Sequence, residues 1–214
     1  MDNREKKTKA VIFDFDGVIA DSVQVKTDAF KKIYNPYGKE ILKKVVSHHE
    51  DNGGVSRYEK FKIYHGYLNK KLSKSGLEKL SEQFSSLVVD EVINSTYING
   101  VLNFIDRCYK RYKLFISTGT PKSEIDLILR GKNISHYFEY VYGSPETKTS
   151  HIQKILTKYQ IDPLELIFFG DSNSDIEAAS AFNIPFVLVQ NDQNKNLCIK
   201  YKGKIINDFN GLNL

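Results

Sequence analysis

The stretch at residues 10–17 is Ala10-Val11-Ile12-Phe13-Asp14-Phe15-Asp16-Gly17. Its leading apolar residues predict a short buried strand that ends in two carboxylates and a glycine. In open α/β sheets, ligands bind beyond the carboxyl ends of the strands. Two carboxylates at that place indicate a metal site, a nucleophile with an acid/base partner, or both. The alternative is an ordinary strand followed by an Asp-Gly turn.

The second half of the chain alternates between strand-like and helix-like segments. Beside the first strand at 9–15, short apolar runs predict strands at 112–117, 140–142, 166–169 and 186–189. Helices are predicted between them at 101–111, 122–130, 149–159 and 175–182. This alternation is typical of a parallel sheet with helices on both faces. We therefore expect an α/β fold with a doubly wound, Rossmann-like parallel sheet.

Residues 22–99 contain no strand-like apolar run, and their apolar residues recur at helical spacing. The spacing predicts helices at 22–34, 58–72 and 76–93. An all-helical segment therefore interrupts the sheet just after its first strand. The predicted division is an α/β core made of residues 1–21 and 100–214, with a helical cap domain at 22–99.

Polar residues also follow the other predicted strands. Ser117-Thr118-Gly119-Thr120 offers hydroxyl and amide donors at a helix N-terminus, which suits an oxyanion. Lys148 lies in the loop after the strand at 140–142, and Asp171 and Asp175 follow the strand at 166–169. Each motif alone is also explained by a turn or a helix cap. Because strand ends converge on one edge of a doubly wound sheet, their order favours a single site.

The four motifs resemble those of the haloacid dehalogenase superfamily of phosphohydrolases. The resemblance is carried by residues 14–22, 116–121 and 170–175 together with Lys148, although the family's usual Lys-Pro pair is here Lys148-Thr149. Lys154 is the alternative lysine, but it falls inside a predicted helix. The helical segment after the first strand resembles the cap of the phosphoglycolate phosphatase and β-phosphoglucomutase-like subfamily.

The resemblance implies a catalytic role for four side chains. Asp14 would be the nucleophile that forms an aspartyl-phosphate, and Asp16 would protonate the leaving alkoxide and then activate water. Thr118 and the Gly119 amide would hold phosphoryl oxygens. Lys148 would neutralise charge on the phosphate and on the nucleophile.

The resemblance also implies a magnesium site. Mg²⁺ would bind the Asp14 carboxylate, the Asp16 backbone carbonyl and the Asp171 carboxylate, together with phosphate and water. Asp175 would be a second ligand or would support the others.

The stretch at 48–58 predicts a loop that bends toward the site, because Gly53 and Gly54 precede Ser56 and Arg57. Gly54, Ser56 and Arg57 would then contact the substrate, and the arginine would grip a carboxylate or second phosphate. The alternative is a helix-connecting loop with a solvated arginine. His48 and His49 are interpreted as polar loop residues rather than metal ligands, because no cysteine lies nearby.

The predicted function is Mg²⁺-dependent hydrolysis of a small phosphorylated metabolite through an aspartyl-phosphate. By the resemblance, members that attack carbon lack the acid/base residue found here as Asp16, so its presence favours phosphate esters. A sugar phosphomutase is the alternative. A non-catalytic binding protein with this fold is disfavoured, because Asp14, Asp16 and Asp171 are all present.

Composition excludes several classes of partner. The 214 residues carry a net charge of +5, with no basic run interleaved with aromatics of the kind that binds nucleic acid. The apolar runs are too short to span a bilayer, and no signal peptide is recognisable. Cys108 and Cys198 do not make a disulfide framework. We expect a cytoplasmic monomer or weak dimer without nucleic-acid or membrane partners.

Overall fold

The computed structural model describes residues 7–214, and these contain a six-stranded sheet. The strands are β1 (Ala10–Phe13), β2 (Lys113–Pro121), β3 (Tyr140–Ser144), β4 (Leu166–Gly170), β5 (Phe186–Val189) and β6 (Lys204–Ile206). Their order is β3-β2-β1-β4-β5-β6, and every pairing is parallel. The chain builds outward from β1 in both directions, so the topological switch point lies beside β1. The predicted doubly wound α/β sheet is confirmed.

The sheet is covered by helices on both faces, and β1 shows why its sequence is apolar throughout. Val11 and Phe13 pack in one hydrophobic cluster with α5 (Val101–Tyr109) and α6 (Lys122–Gly131). Ala10 and Ile12 pack in the other cluster with α7 (Lys148–Tyr159) and α8 (Asn173–Ser180). A strand buried on both faces needs a continuous apolar run rather than an alternating one. The first charged residues therefore come where β1 leaves the sheet.

Four helices fill the segment between β1 and α5. They are α1 (Val23–Tyr34), α2 (Lys39–Asp51), α3 (Arg57–Tyr67) and α4 (Lys74–Asn94). We call residues 22–99 the cap segment. Its interior is aromatic, with the ring of Phe30 centred 4.5 Å from Phe84 and 5.7 Å from Phe61. The segment is all-helical, as predicted, while the proposed division of the chain into two domains stays a prediction.

The cap segment leaves and rejoins the rest of the chain through two paired stretches of backbone. Ala20 and Tyr97 form an antiparallel bridge, and the Asp21 amide donates to the Thr96 carbonyl at 2.9 Å. We call this pairing the stem. It lies only a few residues beyond Asp16, so the two ends of the cap segment are held side by side next to the end of β1.

Some elements differ in extent from their predictions, and two others were not predicted. Helix α2 occupies residues predicted in part as a loop, because lysines dominate it and only Val45 and His49 are buried. Helix α3 ends at Tyr67 rather than at 72, just before Asn69 takes a left-handed φ of 54°. The short helix α9 (Lys195–Lys200) and the edge strand β6 were not predicted, because neither carries a buried apolar run.

Two further predictions bear on the chain as a whole. No helix within residues 7–214 is long and apolar enough to cross a membrane. Cys108 and Cys198 are both buried free thiols, and Cys108 packs in the core. Residues 1–6, which the predicted core includes, lie outside the described residues.

Candidate active site

The carboxyl end of β1 meets the ends of both neighbouring strands. Phe13 pairs with Ile116 of β2 on one side and with Phe169 of β4 on the other. The next residue, Asp14, therefore lies between the two strand ends, and its amide donates to the Phe169 carbonyl at 2.8 Å. Asp171 follows β4 directly. The register alone thus brings the strand-end motifs together, as their order predicted.

Lys148 links two buried carboxylates. Its Nζ lies 2.6 Å from Asp14 Oδ2 and 2.5 Å from Asp175 Oδ1. Burial by itself would lower the pKa of Lys148, but the charges of Asp14 and Asp175 raise it above its ordinary value. Lys154 pairs instead with Glu146 at the surface. The cation beside the predicted nucleophile is therefore Lys148.

Asp14 is a fixed carboxylate with a perturbed pKa. Burial raises that pKa, the charge of Lys148 opposes the rise, and the charge of Asp175 adds to it, so the pKa of Asp14 is about 6. Its Oδ1 accepts the Phe15 amide at 2.6 Å, which orients the group. At neutral pH the side chain is an ionised and oriented carboxylate, and its role as the nucleophile stays a prediction.

Asp16 is held by a different set of donors. Its Oδ1 accepts the Ser22 hydroxyl at 2.6 Å, and its Oδ2 accepts the Thr120 hydroxyl at 3.2 Å and forms an ion pair with Lys26. Burial acts to raise the pKa of Asp16, but the charge of Lys26 and these hydrogen bonds outweigh it, and the pKa is lowered. Asp16 is therefore the more acidic of the two carboxyl groups.

Several residues that contact this site were not predicted from the sequence. Lys26 also donates to Thr120 Oγ1 at 2.6 Å, so it joins the ends of β1 and β2. Ser22 and Lys26 are four residues apart, the spacing that places two side chains on one face of a helix, and that spacing was the available signal. Asn191 donates to Asp171 Oδ2 at 2.8 Å. It follows β5 in the chain, just as Asp14 follows β1 and Asp171 follows β4.

Three carboxylates could hold a metal ion. Oxygens of Asp14, Asp171 and Asp175 lie within 4.8 Å of one another, and all three side chains are buried. Burial raises the pKa of Asp171 well above its ordinary value, and the charges of Asp14 and Asp175 raise it further. When ionised, the three carboxylates would place three negative charges against the one positive charge of Lys148, because Lys26 is paired with Asp16. A divalent cation that prefers oxygen ligands, such as Mg²⁺, fits this surplus.

Asp175 differs from the other two in its partners. Its Oδ2 accepts the Ser172 amide at 3.1 Å and the Ser172 hydroxyl at 2.5 Å, while Oδ1 accepts Lys148. Asp175 therefore accepts three hydrogen bonds, against two at Asp14 and one at Asp171. The geometry favours the supporting role for Asp175 over direct ligation.

The predicted phosphate cradle lies at the end of β2. Thr118 is buried, and its Oγ1 accepts the Thr120 amide at 3.2 Å. Within residues 7–214 no acceptor takes the Thr118 hydroxyl hydrogen, which is thus free to donate to a ligand. Gly119 is adjacent and lines the same space. Thr118 and Gly119 thus line the same space as Asp14, and their binding of phosphoryl oxygens stays a prediction.

The cap segment closes over these residues and leaves a cavity of about 60 Å³. Gly54 has a φ of +72°, and a Cβ there would lie 2.6 Å from both Lys148 Nζ and Ser172 Oγ. The loop between α2 and α3 therefore packs directly against Lys148. The predicted approach of Gly54 to the site is found, whereas Ser56 does not line the cavity.

Arg57 is not the solvated loop arginine of the alternative interpretation. It is the first residue of α3, is 5% exposed, and its guanidinium forms an ion pair with Glu124 of α6. It also donates to Ser85 Oγ at 2.8 Å and lies 4.4 Å from the centre of the Phe84 ring. Arg57 lines the cavity with its charge already partnered, and a substrate contact for it stays a prediction.

The two histidines were placed wrongly in a loop. His48 and His49 lie in the last turn of α2, and His49 is buried against Phe30 with ring centres 4.8 Å apart. His49 Nδ1 lies 2.8 Å from Nζ of Lys60, another buried residue that the sequence reasoning passed over. Both line the cavity.

Comparison with known proteins gives consistent matches. Residues 11–189 match the family described as haloacid dehalogenase-like hydrolase. A phosphorylated carbohydrates phosphatase of Thermotoga maritima is 27% identical over 182 residues, which cover 82% of each chain. A β-phosphoglucomutase structure from Clostridium difficile has a TM-score of 0.77 at 24% identity, covering 97% of this chain and 94% of that one. A predicted phosphoglycolate phosphatase from Haemophilus somnus has a TM-score of 0.74 at 21% identity, covering 94% and 95%.

Proposed function

The chain belongs to the haloacid dehalogenase-like hydrolase family, as its motifs predicted, and we propose that it is a Mg²⁺-dependent phosphatase of a small phosphorylated metabolite. The observation that carries the proposal is the Asp14 carboxylate, fixed by Lys148 at the switch point of the sheet with Thr118 and Asp16 around it. Phosphatase activity is further supported by the relative from Thermotoga maritima, which is named for that activity.

The proposed reaction has two steps. In the first, an Asp14 oxygen attacks phosphorus, the ester P–O bond breaks, and protonated Asp16 gives its proton to the departing alkoxide. In the second, Asp16 takes a proton from water, whose oxygen attacks phosphorus and releases phosphate from Asp14. Lys148 and Thr118 hold the charge that the phosphoryl oxygens carry in both steps.

Asp14 and Asp171 would hold Mg²⁺, with Asp175 positioning Lys148 beside them. When bound, the ion would supply charge neutralisation for phosphoryl oxygens that approach a cluster of carboxylates. Lys26 stabilises the Asp16 carboxylate that is left once Asp16 has given its proton to the leaving group, and this ionised form then accepts a proton from water.

The volume and lining of the closed cavity favour one kind of substrate. Its volume of about 60 Å³ favours a compact molecule over a nucleotide. Phe30 and Phe84 offer an apolar wall for a short carbon skeleton. We infer a small phosphorylated metabolite, in line with the sequence prediction.

The test is phosphate release from a panel of phosphorylated metabolites, with Mg²⁺ and with a chelator, by the wild type and by Asp14→Asn. We expect activity that needs Mg²⁺ and falls at least about 1,000-fold in the variant. Asp28→Asn is the matched control, because Asp28 is an exposed aspartate on α1 that pairs only with surface groups. Equal turnover by wild type and Asp14→Asn would overturn the mechanism.

The same panel separates a phosphatase from a phosphomutase. A mutase returns the phosphoryl group to another hydroxyl of the sugar and releases little inorganic phosphate. An isomerised sugar phosphate without phosphate release would therefore replace the proposed function by its alternative.

We also propose that the enzyme works in the cytoplasm as a monomer or weak dimer, without nucleic-acid or membrane partners. The proposal rests on the charge and apolar patterning of the sequence. Cell fractionation and the sedimentation of the purified protein test it directly.

A further inference from the structure

Lys60 is a buried cation whose charge is only partly balanced, by Asp171 and Asp16. It lies in α3, is 2% exposed, and forms no ion pair with any carboxylate of residues 7–214. Its Nζ donates to His49 Nδ1 at 2.8 Å. Burial lowers the pKa of Lys60 to about 7, with further contributions from the charges of Lys26 and Lys148. A buried ammonium that lacks an anion destabilises a fold, so its position needs a reason.

His49 beside it is also incompletely partnered. The hydrogen bond from Lys60 makes Nδ1 an acceptor, which places the ring proton of the neutral imidazole on Nε2. This buried Nε2 has no hydrogen-bond partner among residues 7–214. Burial and the nearby charge of Lys60 lower the pKa of His49 well below its usual value, so the ring stays neutral. Lys60 and His49 thus present N–H groups for which residues 7–214 supply no acceptor.

Both side chains line the same cavity as Asp14 and Asp16. Phe30 and Phe84 also line this space, giving it an apolar wall between polar groups. Arg57 lines it too, but Glu124 already neutralises that guanidinium. Among the described cap-segment cations that line this cavity, Lys60 is therefore the one without an ion-pair partner, and its charge is available to a ligand.

Resting on the proposed function, we propose that Lys60 and His49 bind a second anionic group of the substrate while its phosphoryl group lies at Asp14. The ammonium would supply the charge, and the His49 Nε2 hydrogen would donate to a second oxygen of the same group. A carboxylate and a second phosphate share this chemistry. The substrate class is then a short phosphorylated acid or bisphosphate, in preference to an ester with an uncharged far end.

Three probes that differ only at the far end test the proposal. They are phosphoglycolate, ethanediol bisphosphate and hydroxyethyl phosphate, which end in a carboxylate, a phosphate and a hydroxyl group. For the wild type we expect kcat/KM to be higher for one or both anionic probes than for the hydroxyl probe. In Lys60→Met this preference should fall about 10- to 100-fold, the worth of one charge-assisted hydrogen bond. Comparison of the two anionic probes identifies the preferred group.

Two other lysine variants serve as controls. Lys62→Met removes an exposed lysine of the same helix, which pairs with Glu59 at the surface, and it should keep the wild-type preference. Lys60→Arg retains the charge and should recover part of the preference. A preference that Lys60→Met leaves unchanged, or that Lys62→Met removes equally, would overturn the proposal.

An equilibrium measurement separates this proposal from the proposed function. Calorimetry with Asp14→Asn measures the binding of the same probes without turnover. Weaker binding of the anionic probes on adding Lys60→Met would support the anion site even if the wild type released no phosphate. Equal binding of all three probes, whatever the turnover, would overturn it.

Discussion

Two lysines separate the behaviour of two neighbouring aspartates. Burial by itself would raise the pKa of both Asp14 and Asp16, and one lysine contacts each carboxylate and acts to lower its pKa. Lys148 is shared with Asp175, so its charge only partly offsets burial at Asp14. Lys26 pairs with Asp16 alone, and there the charge prevails. The two carboxyl groups therefore titrate in different pH ranges, although they are near neighbours in the chain.

The raised pKa of Asp14 predicts an acid limit to activity. Because protonated Asp14 is not a nucleophile, kcat/KM should fall by about tenfold per pH unit below about pH 6. Higher Mg²⁺ concentrations should move this limb to lower pH, because a bound cation favours the carboxylate. Initial rates across pH at several Mg²⁺ concentrations measure both effects. A limb that ignores Mg²⁺ would contradict the assignment of Asp14 as a ligand.

Lys26 should act as a positioning residue for Asp16. In Lys26→Met the pKa of Asp16 should rise, because its main opposing charge is gone, and kcat should fall about 10- to 100-fold. The pH–rate limb that belongs to Asp16 should move to higher pH, and Lys26→Arg should restore part of the rate. Lys31→Met, an exposed lysine on the same helix, is the control. Lost activity without a change in the pH profile would indicate a merely structural role.

At the scale of elements, the loop between α2 and α3 is the part of the cap segment that presses on the site. In Gly54→Ala the added methyl would displace Ser174, Lys148 or Ser172, and the positive φ adds strain. We expect kcat/KM to fall about 10- to 100-fold, because small misplacements of catalytic groups are costly.

Gly38→Ala is the matched control for this prediction. Gly38 has a φ of +91°, but a Cβ there meets nothing within 4 Å. That variant should lose about 1 kcal/mol of stability and keep its activity. Equal losses of activity in both variants would show that strain, and not displacement of Lys148, is responsible.

The elements also show what sequence patterns can reveal. The positions of β1 and β4 were predictable, because continuous apolar runs mark buried strands and Asp14 and Asp171 follow them. Strand β2 runs on to Pro121, so Thr118 lies within it and not after it as predicted. Lys26 and Lys60 were not singled out, because a lysine inside a helical pattern normally lies on a solvated face. Their burial depends on the docking of α1 and α3 over the sheet edge, which no local spacing encodes.

At the scale of the molecule, one buried ion pair ties the cap segment to the helices of the sheet. Arg57 of α3 meets Glu124 of α6, and the Ser85 hydroxyl donates to the same carboxylate at 2.6 Å. Breaking one side of a buried pair leaves an uncompensated charge. The contact therefore favours the closed arrangement in which the cap segment covers Asp14.

Glu124→Gln should weaken this closure. We expect a loss of about 3 kcal/mol in the free energy of unfolding and a raised KM, because the closed state is less populated. Asp126→Asn removes the partner of Lys122 on the same helix near the surface and should cost at most about 1 kcal/mol. Denaturant titration of both variants measures these two changes in the free energy of unfolding. A double-mutant cycle with Arg57→Met should show that the two sites are coupled.

Metal binding should stabilise the folded protein in a pH-dependent way. Folding raises the pKa values of Asp14 and Asp171, so both tend to be protonated in acid, and protons then compete with Mg²⁺. Mg²⁺ should therefore raise the melting temperature clearly at about pH 8 and little at about pH 5. Asp171→Asn should lose most of the effect. An equal rise at both pH values would argue against a site built from these carboxylates.

The stem at Ala20 and Tyr97 has a consequence for how such a protein diversifies. An insertion whose two ends are hydrogen-bonded neighbours can be exchanged for another of different length without moving the strands on either side. Asp14, Thr118 and Asp171 are anchored in the sheet, whereas Lys60 and His49 belong to the exchangeable part. If the proposed function holds, we expect a graft at the stem to keep the reaction and to bring a new substrate preference.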